Sequence, residues 1–123
     1  TDLSELLSLK PIFFDFDEAF IREDAQIELA KVIDYMERYP TVKVDIRSHT
    51  DSRGTDEYNI GLSTQRNERT YDYIIRYGNI VKDRLSGKGY GEFELTNHCS
   101  DDVYCTKEEH QANRRSEFII IAN

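Results

Sequence analysis

The stretch His49-Thr50-Asp51-Ser52-Arg53-Gly54, followed by Asn59-Ile60-Gly61-Leu62-Ser63-Thr64-Gln65-Arg66, decides how the rest of this chain is organised. An alternating apolar and charged segment leads into it, and a long helical pattern leads out of it. One face of that helix carries, at spacings of three and four residues, Asn59, Leu62, Ser63 and Arg66. The same face is mostly apolar further on, at Thr70, Tyr73, Ile74 and Tyr77. The stripe is polar only at its start, beside a turn that contains glycine and aspartate. This pattern indicates a binding site at the edge of a hydrophobic core.

The composition is that of one globular domain. The 123 residues are enough to bury an ordinary core, and 38% hydrophobic with 33% charged residues is not typical of a disordered chain. No apolar run approaches the roughly 20 residues of a membrane span. A net charge of −8 argues against a nucleic-acid backbone or an anionic membrane surface as partner. Because the first residue is Thr1, we expect the sequence to be a piece of a longer protein.

Periodicity and turn residues predict a lead-in over residues 1–10 and one domain over residues 11–123. The predicted strands cover residues 12–17, 41–48, 84–91 and 118–122, and the predicted helices cover residues 25–38, 56–77 and 106–112. Asp24 is the predicted cap of the first helix, and Thr55 or Asp56 that of the second. The third helix opens with a capping-box pattern, Thr106-Lys107-Glu108-Glu109.

The element order β-α-β-α-β-α-β predicts an α+β fold of two layers with the helices on one face of the sheet. The second strand places Val42, Val44 and Ile46 on one side and charged residues on the other, as in a strand with one solvated face. The last strand is apolar on both faces and is therefore predicted to be central in the sheet.

The two cysteines, Cys99 and Cys105, lie in a polar loop with five residues between them. His98 and His110 are near, but this spacing is a poor one for zinc. Because two free thiols in an exposed loop would be prone to oxidation, a local disulfide is favoured over a metal site. Such a disulfide implies an oxidising compartment.

Asp51 and Arg66 are the first candidates for a binding site. An aspartate can bind an ammonium and an arginine can bind a carboxylate in bidentate fashion, so together they could hold a zwitterion. The alternative is an internal salt bridge that fixes the turn to the helix. Asn59 could hold the loop backbone or contact a ligand. Arg114 and Arg115 are adjacent on an extended segment, so at most one of them could reach a given pocket.

Nothing in the sequence predicts catalysis, a metal or a cofactor. The three histidines are scattered, and no serine or cysteine stands in a nucleophile motif. The glycine-rich residues 87–91 lack the pattern of a phosphate loop, and Asp15-Phe16-Asp17 does not extend into a calcium loop.

Five motifs in order resemble those of the OmpA-like peptidoglycan-binding domain over residues 11–122. They are Phe13-Phe14-Asp15-Phe16, His49-Thr50-Asp51-x-x-Gly54, Asn59-x-x-Leu62-Ser63-x-x-Arg66, Gly87-x-Gly89-x-Gly91-Glu92 and Asn113-Arg114-Arg115. The cysteine-bearing loop is similar to the version found in Bacteroidetes-type bacteria. The family often has alanine where this chain has Asn67, a position at the edge of the helix stripe where we expect little consequence.

The resemblance implies a mixed sheet and a non-catalytic module that binds the stem peptide of peptidoglycan. It implies that Asp51 and Arg66 hold diaminopimelate, whose free end carries an ammonium and a carboxylate. The other residues that it implies in the ligand site are Asn59, Leu62, Arg114, Asp15, Phe16 and Thr50. It also implies a periplasmic location in a Gram-negative bacterium, with a tether to the outer membrane upstream of Thr1.

Two other functions remain open. A cell-wall hydrolase would need a nucleophile, a metal cluster or a poised pair of carboxylates. A protein-interaction module would use the same fold to dock onto an envelope partner. Replacement of Asp51 or Arg66 by alanine is expected to remove most wall binding and to leave the fold intact.

Overall fold

The computed structural model describes residues 9–122, so the first eight residues of the predicted lead-in lie outside the described part. The strands are β1 (Ile12–Phe13), β2 (Lys43–Ser48), β3 (Leu85–Gly89) and β4 (Arg115–Ala122). The helices are α1 (Glu23–Arg38), α2 (Asp56–Gly78) and α3 (Lys107–Gln111), with a 3-10 turn at Lys82–Arg84. Among residues 9–122, none of the helices has the length and hydrophobicity that a membrane span requires.

The sheet has the strand order β1-β4-β2-β3. Strand β2 is parallel to β3 and antiparallel to β4, and β1 is antiparallel to β4. This confirms the predicted α+β fold with a mixed sheet, and it confirms that the last strand is central. The paired positions of β2 and β4 include Ile46 opposite Phe118, both of which are buried.

The core lies between one face of the sheet and the helices α1 and α2. Buried residues of β2 alternate with more exposed charged ones, as predicted. Helix α1 buries Leu29, Val32, Ile33 and Met36, the predicted stripe. On the other face of β4, Ile119 and Ile121 are 38% and 54% exposed. The last strand is therefore central without having both of its faces covered.

Helix α2 runs from the turn beside the candidate site across the sheet. The Thr55 hydroxyl accepts a hydrogen bond from the Tyr58 N–H at 3.1 Å, which confirms Thr55 as its cap. The helix ends where Asn79 adopts a left-handed conformation with φ 48°. Tyr77 was expected on the buried stripe, but it is 64% exposed because Gly78 is the residue that faces α1.

Asn67 also differs from expectation, because it is 5% exposed rather than peripheral. Its side-chain amide donates to the Ile46 carbonyl at 2.7 Å and to the Ser48 hydroxyl at 3.0 Å. Since both acceptors lie in β2, Asn67 fixes α2 to the centre of the sheet. An alanine at this position could make neither bond.

The first helix begins earlier than predicted. Its N-cap is Arg22, which makes no side-chain capping bond, and Asp24 lies in the first turn of the helix. There the Asp24 carboxylate accepts from the Arg22 guanidinium at 3.0 and 2.9 Å and is favourably placed near the positive end of the helix dipole.

Strands β2 and β3 are up to two residues shorter at an end than predicted, and two other strand boundaries differ by three or more residues. Strand β1 stops at Phe13, because the chain turns where the Glu18 N–H donates to the Asp15 carbonyl and Asp17 has φ 60°. Strand β4 begins at Arg115 rather than 118, because Arg115 and the next residue pair with β1.

The loop after β3 is closed by the predicted disulfide between Cys99 and Cys105. The side chain of Asn113 secures the same loop, since its Oδ1 accepts from the Thr96 N–H at 2.7 Å. Thr106 and Glu109 form the predicted capping box of α3.

Gly87 and Gly61 provide a matched test of this packing. Gly87 has φ +120°, and a Cβ atom there would overlap the Ile46 carbonyl oxygen, so Gly87→Ala combines backbone strain with a clash. We expect it to lower the free energy of unfolding by about 2–4 kcal/mol in urea denaturation. At Gly61, within α2, no atom of the described residues other than the adjacent backbone of the helix lies within 4 Å of the position that a Cβ would take.

Gly61→Ala is therefore expected to raise the free energy of unfolding by about 1 kcal/mol, the difference in helix propensity. Equal effects of the two alanines would contradict the described register of β2 and β3.

Candidate ligand-binding site

A pocket with a volume of about 100 Å³ opens where α2 begins, beside the turn that follows β2. Its lining residues are Phe16, Asp17, Thr50, Asp51, Arg53, Gly54, Tyr58, Asn59, Leu62, Arg66 and Arg114. All but one of the predicted site residues are among them. The exception is Asp15, whose carboxylate pairs with Arg22 at 3.3 Å.

Arg66 is fully buried at the base of the pocket, and its bonds go to main-chain carbonyls. Its Nε donates to Glu18 at 2.9 Å, Nη1 to His49 at 3.0 Å and Nη2 to Asp15 at 3.1 Å. Its guanidinium also lies over the Phe14 ring, 5.2 Å from the centroid. A guanidinium has five N–H groups. The three carbonyl bonds therefore leave two N–H groups that these acceptors do not use.

Burial, with a further contribution from the nearby Arg114 charge, lowers the pKa of Arg66 to about 10, while Asp51 and Asp17 oppose the shift. Arg66 therefore remains a cation at neutral pH. Within the described residues it forms no ion pair with Asp51, so the internal salt bridge considered above is not the arrangement found.

Asp51 is 3% exposed and accepts hydrogen bonds from two other arginines. Oδ1 accepts from the Arg53 N–H at 3.0 Å and from its Nε at 3.3 Å. Oδ2 accepts from Arg53 Nη2 at 2.8 Å and from Arg114 Nη1 at 3.0 Å. Burial alone would raise the pKa of Asp51, but the bonds from Arg53 and Arg114 outweigh it and hold the pKa below its usual value. The pocket therefore contains a carboxylate at neutral pH.

Arg114 and Arg115 point to opposite sides, as the extended backbone requires. Arg114 reaches the pocket and is fixed there, because its Nε donates to the Phe14 carbonyl at 3.0 Å and its Nη2 to Gln111 at 2.9 Å. Arg115 instead pairs with Glu117 at 3.0 Å on the other side of β4.

Asn59 holds the turn in place from the first turn of α2. Its amide donates to the Asp51 carbonyl at 3.4 Å and to the Glu92 carboxylate at 3.3 Å. Gly54 has φ +98° and lies against this amide, a conformation that glycine adopts without strain. Beside them, the Thr50 hydroxyl is buried and has no hydrogen-bond partner within the described part of the chain.

His49 supports the turn rather than lining the pocket. Its ring is buried, lies 3.2 Å from the Glu117 carboxylate and stacks on Tyr90. The hydrogen bond from His49 and the bond from Arg115 lower the pKa of Glu117 to about 2.

Four lining residues were not predicted: Asp17, Arg53, Gly54 and Tyr58. Phe16 and Tyr58 form exposed aromatic walls, and the Arg53 guanidinium lies 4.2 Å from the centroid of the Phe16 ring. Arg53 and Gly54 belong to the opening stretch of sequence, so their closeness to Asp51 along the chain could have predicted that they line the pocket. Asp17 carries no such signal, because its position follows from the turn after β1.

The carboxylates of Asp56, Glu92 and Asp101 lie within 4.8 Å of one another behind Asn59. Burial, together with the interactions with Asp56 and Asp101, raises the pKa of Glu92 to about 7, against the opposing hydrogen bond from Asn59. A second group of potential metal ligands contains Cys99 and Cys105, whose sulfur atoms are joined in the disulfide and are therefore not free thiolates.

Glu92 is expected to make stability depend on pH. Since its pKa is raised above the ordinary 4.5, its contribution to stability is fully present below that pH and is lost as pH rises through about 7. Glu92→Gln keeps an acceptor for Asn59 and removes this titration. Chemical denaturation at pH 5 and pH 8 should show wild type losing stability relative to this variant, on the order of 2 kcal/mol. The exposed Glu94→Gln is the matched control, and a Glu92→Gln curve parallel to wild type would contradict the expectation.

Comparison with known proteins places this chain in a family. The sequence model of the OmpA family matches residues 13–114. The peptidoglycan-associated lipoprotein of Rhizobium meliloti (strain 1021) is 36% identical over 101 residues, which cover 82% of this chain and 56% of that protein. That of Brucella melitensis is 37% identical over 92 residues, covering 75% of this chain and 54% of the relative. The chain thus spans about half the length of these relatives.

Solved structures show the same fold. The peptidoglycan-associated lipoprotein of Burkholderia pseudomallei superposes with a TM-score of 0.82 at 22% identity, covering 94% of this chain and 92% of that one. The C-terminal domain of Helicobacter pylori MotB gives 0.77 at 21% identity, covering 94% and 87%. None of these relatives bears out the narrower resemblance to Bacteroidetes proteins. The match over residues 13–114, together with the predicted motifs, shows that the chain belongs to the OmpA family.

Proposed function

We propose that this domain binds the stem peptide of peptidoglycan non-covalently and anchors an envelope component to the cell wall. The observation that carries the proposal is the presence of Asp51 and Arg66 in one small pocket without an ion pair between them. Opposite charges that do not neutralise each other can each receive one end of a zwitterion. The free end of diaminopimelate, with an ammonium and a carboxylate, has the matching charges.

In the proposed complex the ligand carboxylate accepts from the two Arg66 N–H groups that the three carbonyls do not use, and the ammonium approaches Asp51. The unpaired Thr50 hydroxyl offers a further polar contact. Leu62, Phe16 and Tyr58 line the pocket with apolar surface for the aliphatic stem of the ligand. Asn59 and Arg114 position the turn and Asp51 rather than providing the main charges.

The chemistry of Arg66 favours binding of an anion over transfer of a proton. Arg66, the most buried cation of the pocket, is bonded to fixed carbonyls and has a pKa of about 10. It is therefore suited to holding an anion and not to accepting a proton at neutral pH.

The names of the relatives support the wider setting. Proteins about 36% identical are peptidoglycan-associated lipoproteins, and one structural neighbour is described as the cell wall anchor of the T6SS from Pseudomonas aeruginosa. We therefore propose a periplasmic location in a Gram-negative bacterium for the domain, with a tether to the outer membrane upstream of Thr1. The disulfide between Cys99 and Cys105 is consistent with an oxidising compartment.

Each site is expected to bind with modest affinity. Two charge-assisted interactions contribute about 1.5–3 kcal/mol each before the cost of association is subtracted. Firm anchoring then arises from many copies acting on one polymer, because tethering raises the effective concentration of each site.

Asp51→Asn is the sharpest test of the proposed site. The amide keeps the size of the side chain but removes its charge, and Arg114 retains its bonds to Phe14 and Gln111. We expect co-sedimentation with diaminopimelate-containing sacculi to weaken at least about tenfold, the loss of one charged hydrogen bond. Circular dichroism should show a folded protein.

Asp34→Asn, on the exposed face of α1, is the control and should sediment like wild type. The assignment fails if Asp51→Asn also sediments like wild type. Arg66→Ala is a poorer test than the sequence implied, because it also removes bonds to three main-chain carbonyls and should destabilise the fold.

A further inference from the structure

Arg53 occupies the carboxylate that the proposed ligand would need. We propose that Arg53 is a displaceable occupant of Asp51, and that a ligand ammonium binds by replacing its guanidinium. The inference rests on the proposed function, because it describes how the same pocket admits its ligand. It makes Arg53 a residue that sets which ligands can enter.

The carboxylate of Asp51 already accepts as many hydrogen bonds as a carboxylate ordinarily does. A carboxylate accepts about four hydrogen bonds, and here three come from Arg53 and one from Arg114. An ammonium that approaches to hydrogen-bond distance must therefore take the place of a donor that is already present.

Arg53 is the donor that can leave. The Arg114 side chain is 9% exposed and is held by Phe14 and Gln111 as well as by Asp51. The Arg53 side chain is 41% exposed, and its further contact in the described part of the chain is the face of Phe16, itself 56% exposed. Releasing an exposed guanidinium to water costs little, whereas releasing Arg114 would leave a buried charge with fewer partners.

This exchange would select for a charged amine. A neutral group at the same place, such as an acylated amine, cannot balance the negative charge of Asp51 once the Arg53 guanidinium has left. The main-chain N–H of Arg53 still donates to Oδ1, so the turn keeps its shape while the side chain moves. The pocket would thus remain ordered during ligand entry.

Arginine-selective NMR tests the movement directly. The Nε–H signals of Arg53 and Arg114 are followed while a stem tripeptide that contains diaminopimelate is added. We expect the Arg53 signal to shift and to exchange faster with water as it leaves Asp51, while the Arg114 signal stays protected. The same peptide, acetylated on the amine at the free end of diaminopimelate, should not release Arg53.

Arg53→Met tests the competition by affinity. Methionine keeps apolar contact with Phe16 and removes the competing donors. We expect calorimetric titration to show binding of the free-amine peptide about two- to fivefold tighter than in wild type, the size of an exposed ion pair. Arg38→Met, which breaks the exposed pair with Asp34 on α1, is the matched control and should not change binding.

The outcomes separate the two proposals. If the peptide binds and Arg53 stays on Asp51, or if Arg53→Met binds with equal or lower affinity, the exchange is overturned and the proposed function stands. If neither wild type nor Arg53→Met binds the peptide, both are overturned.

Discussion

The structure depends on one buried cation. Arg66 lies in the middle of α2, is fully buried, and donates to carbonyls of three residues that are far from it in sequence. A buried guanidinium is costly unless its N–H groups are bonded, so the loops that supply these carbonyls must adopt one geometry. The turn after β1 and the end of β2 are thereby held against the same helix. The position of the pocket between them is a consequence of that requirement.

The way in which Asp51 and Arg66 are hydrogen-bonded leaves the charges of the pocket available to a ligand. Had Asp51 and Arg66 bonded to each other, the site would be electrically satisfied and closed to a zwitterion. Instead Arg66 is satisfied by uncharged carbonyls, and Asp51 by Arg53 and Arg114. Neutral partners stabilise Arg66 without cancelling its charge, so it can still attract an anion. Asp51 has one firmly held partner and one exposed partner, and this difference gives the site a way to accept a ligand cation.

Local patterns predicted much of this molecule. Alternation identified β2, the helical stripe identified the face with Asn59 and Arg66, and polar residues before helices identified the caps at Thr55 and Thr106. What the patterns missed depends on contacts across the fold. The burial of Asn67 follows from its bonds to β2, and the early end of β1 follows from the turn that presents carbonyls to Arg66. Such bonds leave no periodic trace in a sequence.

The most direct measurement of the central claim is calorimetric titration with two stem peptides that differ in one carboxylate. One contains diaminopimelate and the other contains lysine, which lacks the group that Arg66 would bind. The account predicts saturable binding of the diaminopimelate peptide and at least about tenfold weaker binding of the lysine peptide, since one charge-assisted bond is missing. Equal affinity for the two, or no binding of either, would contradict a pocket that binds a zwitterion through Asp51 and Arg66.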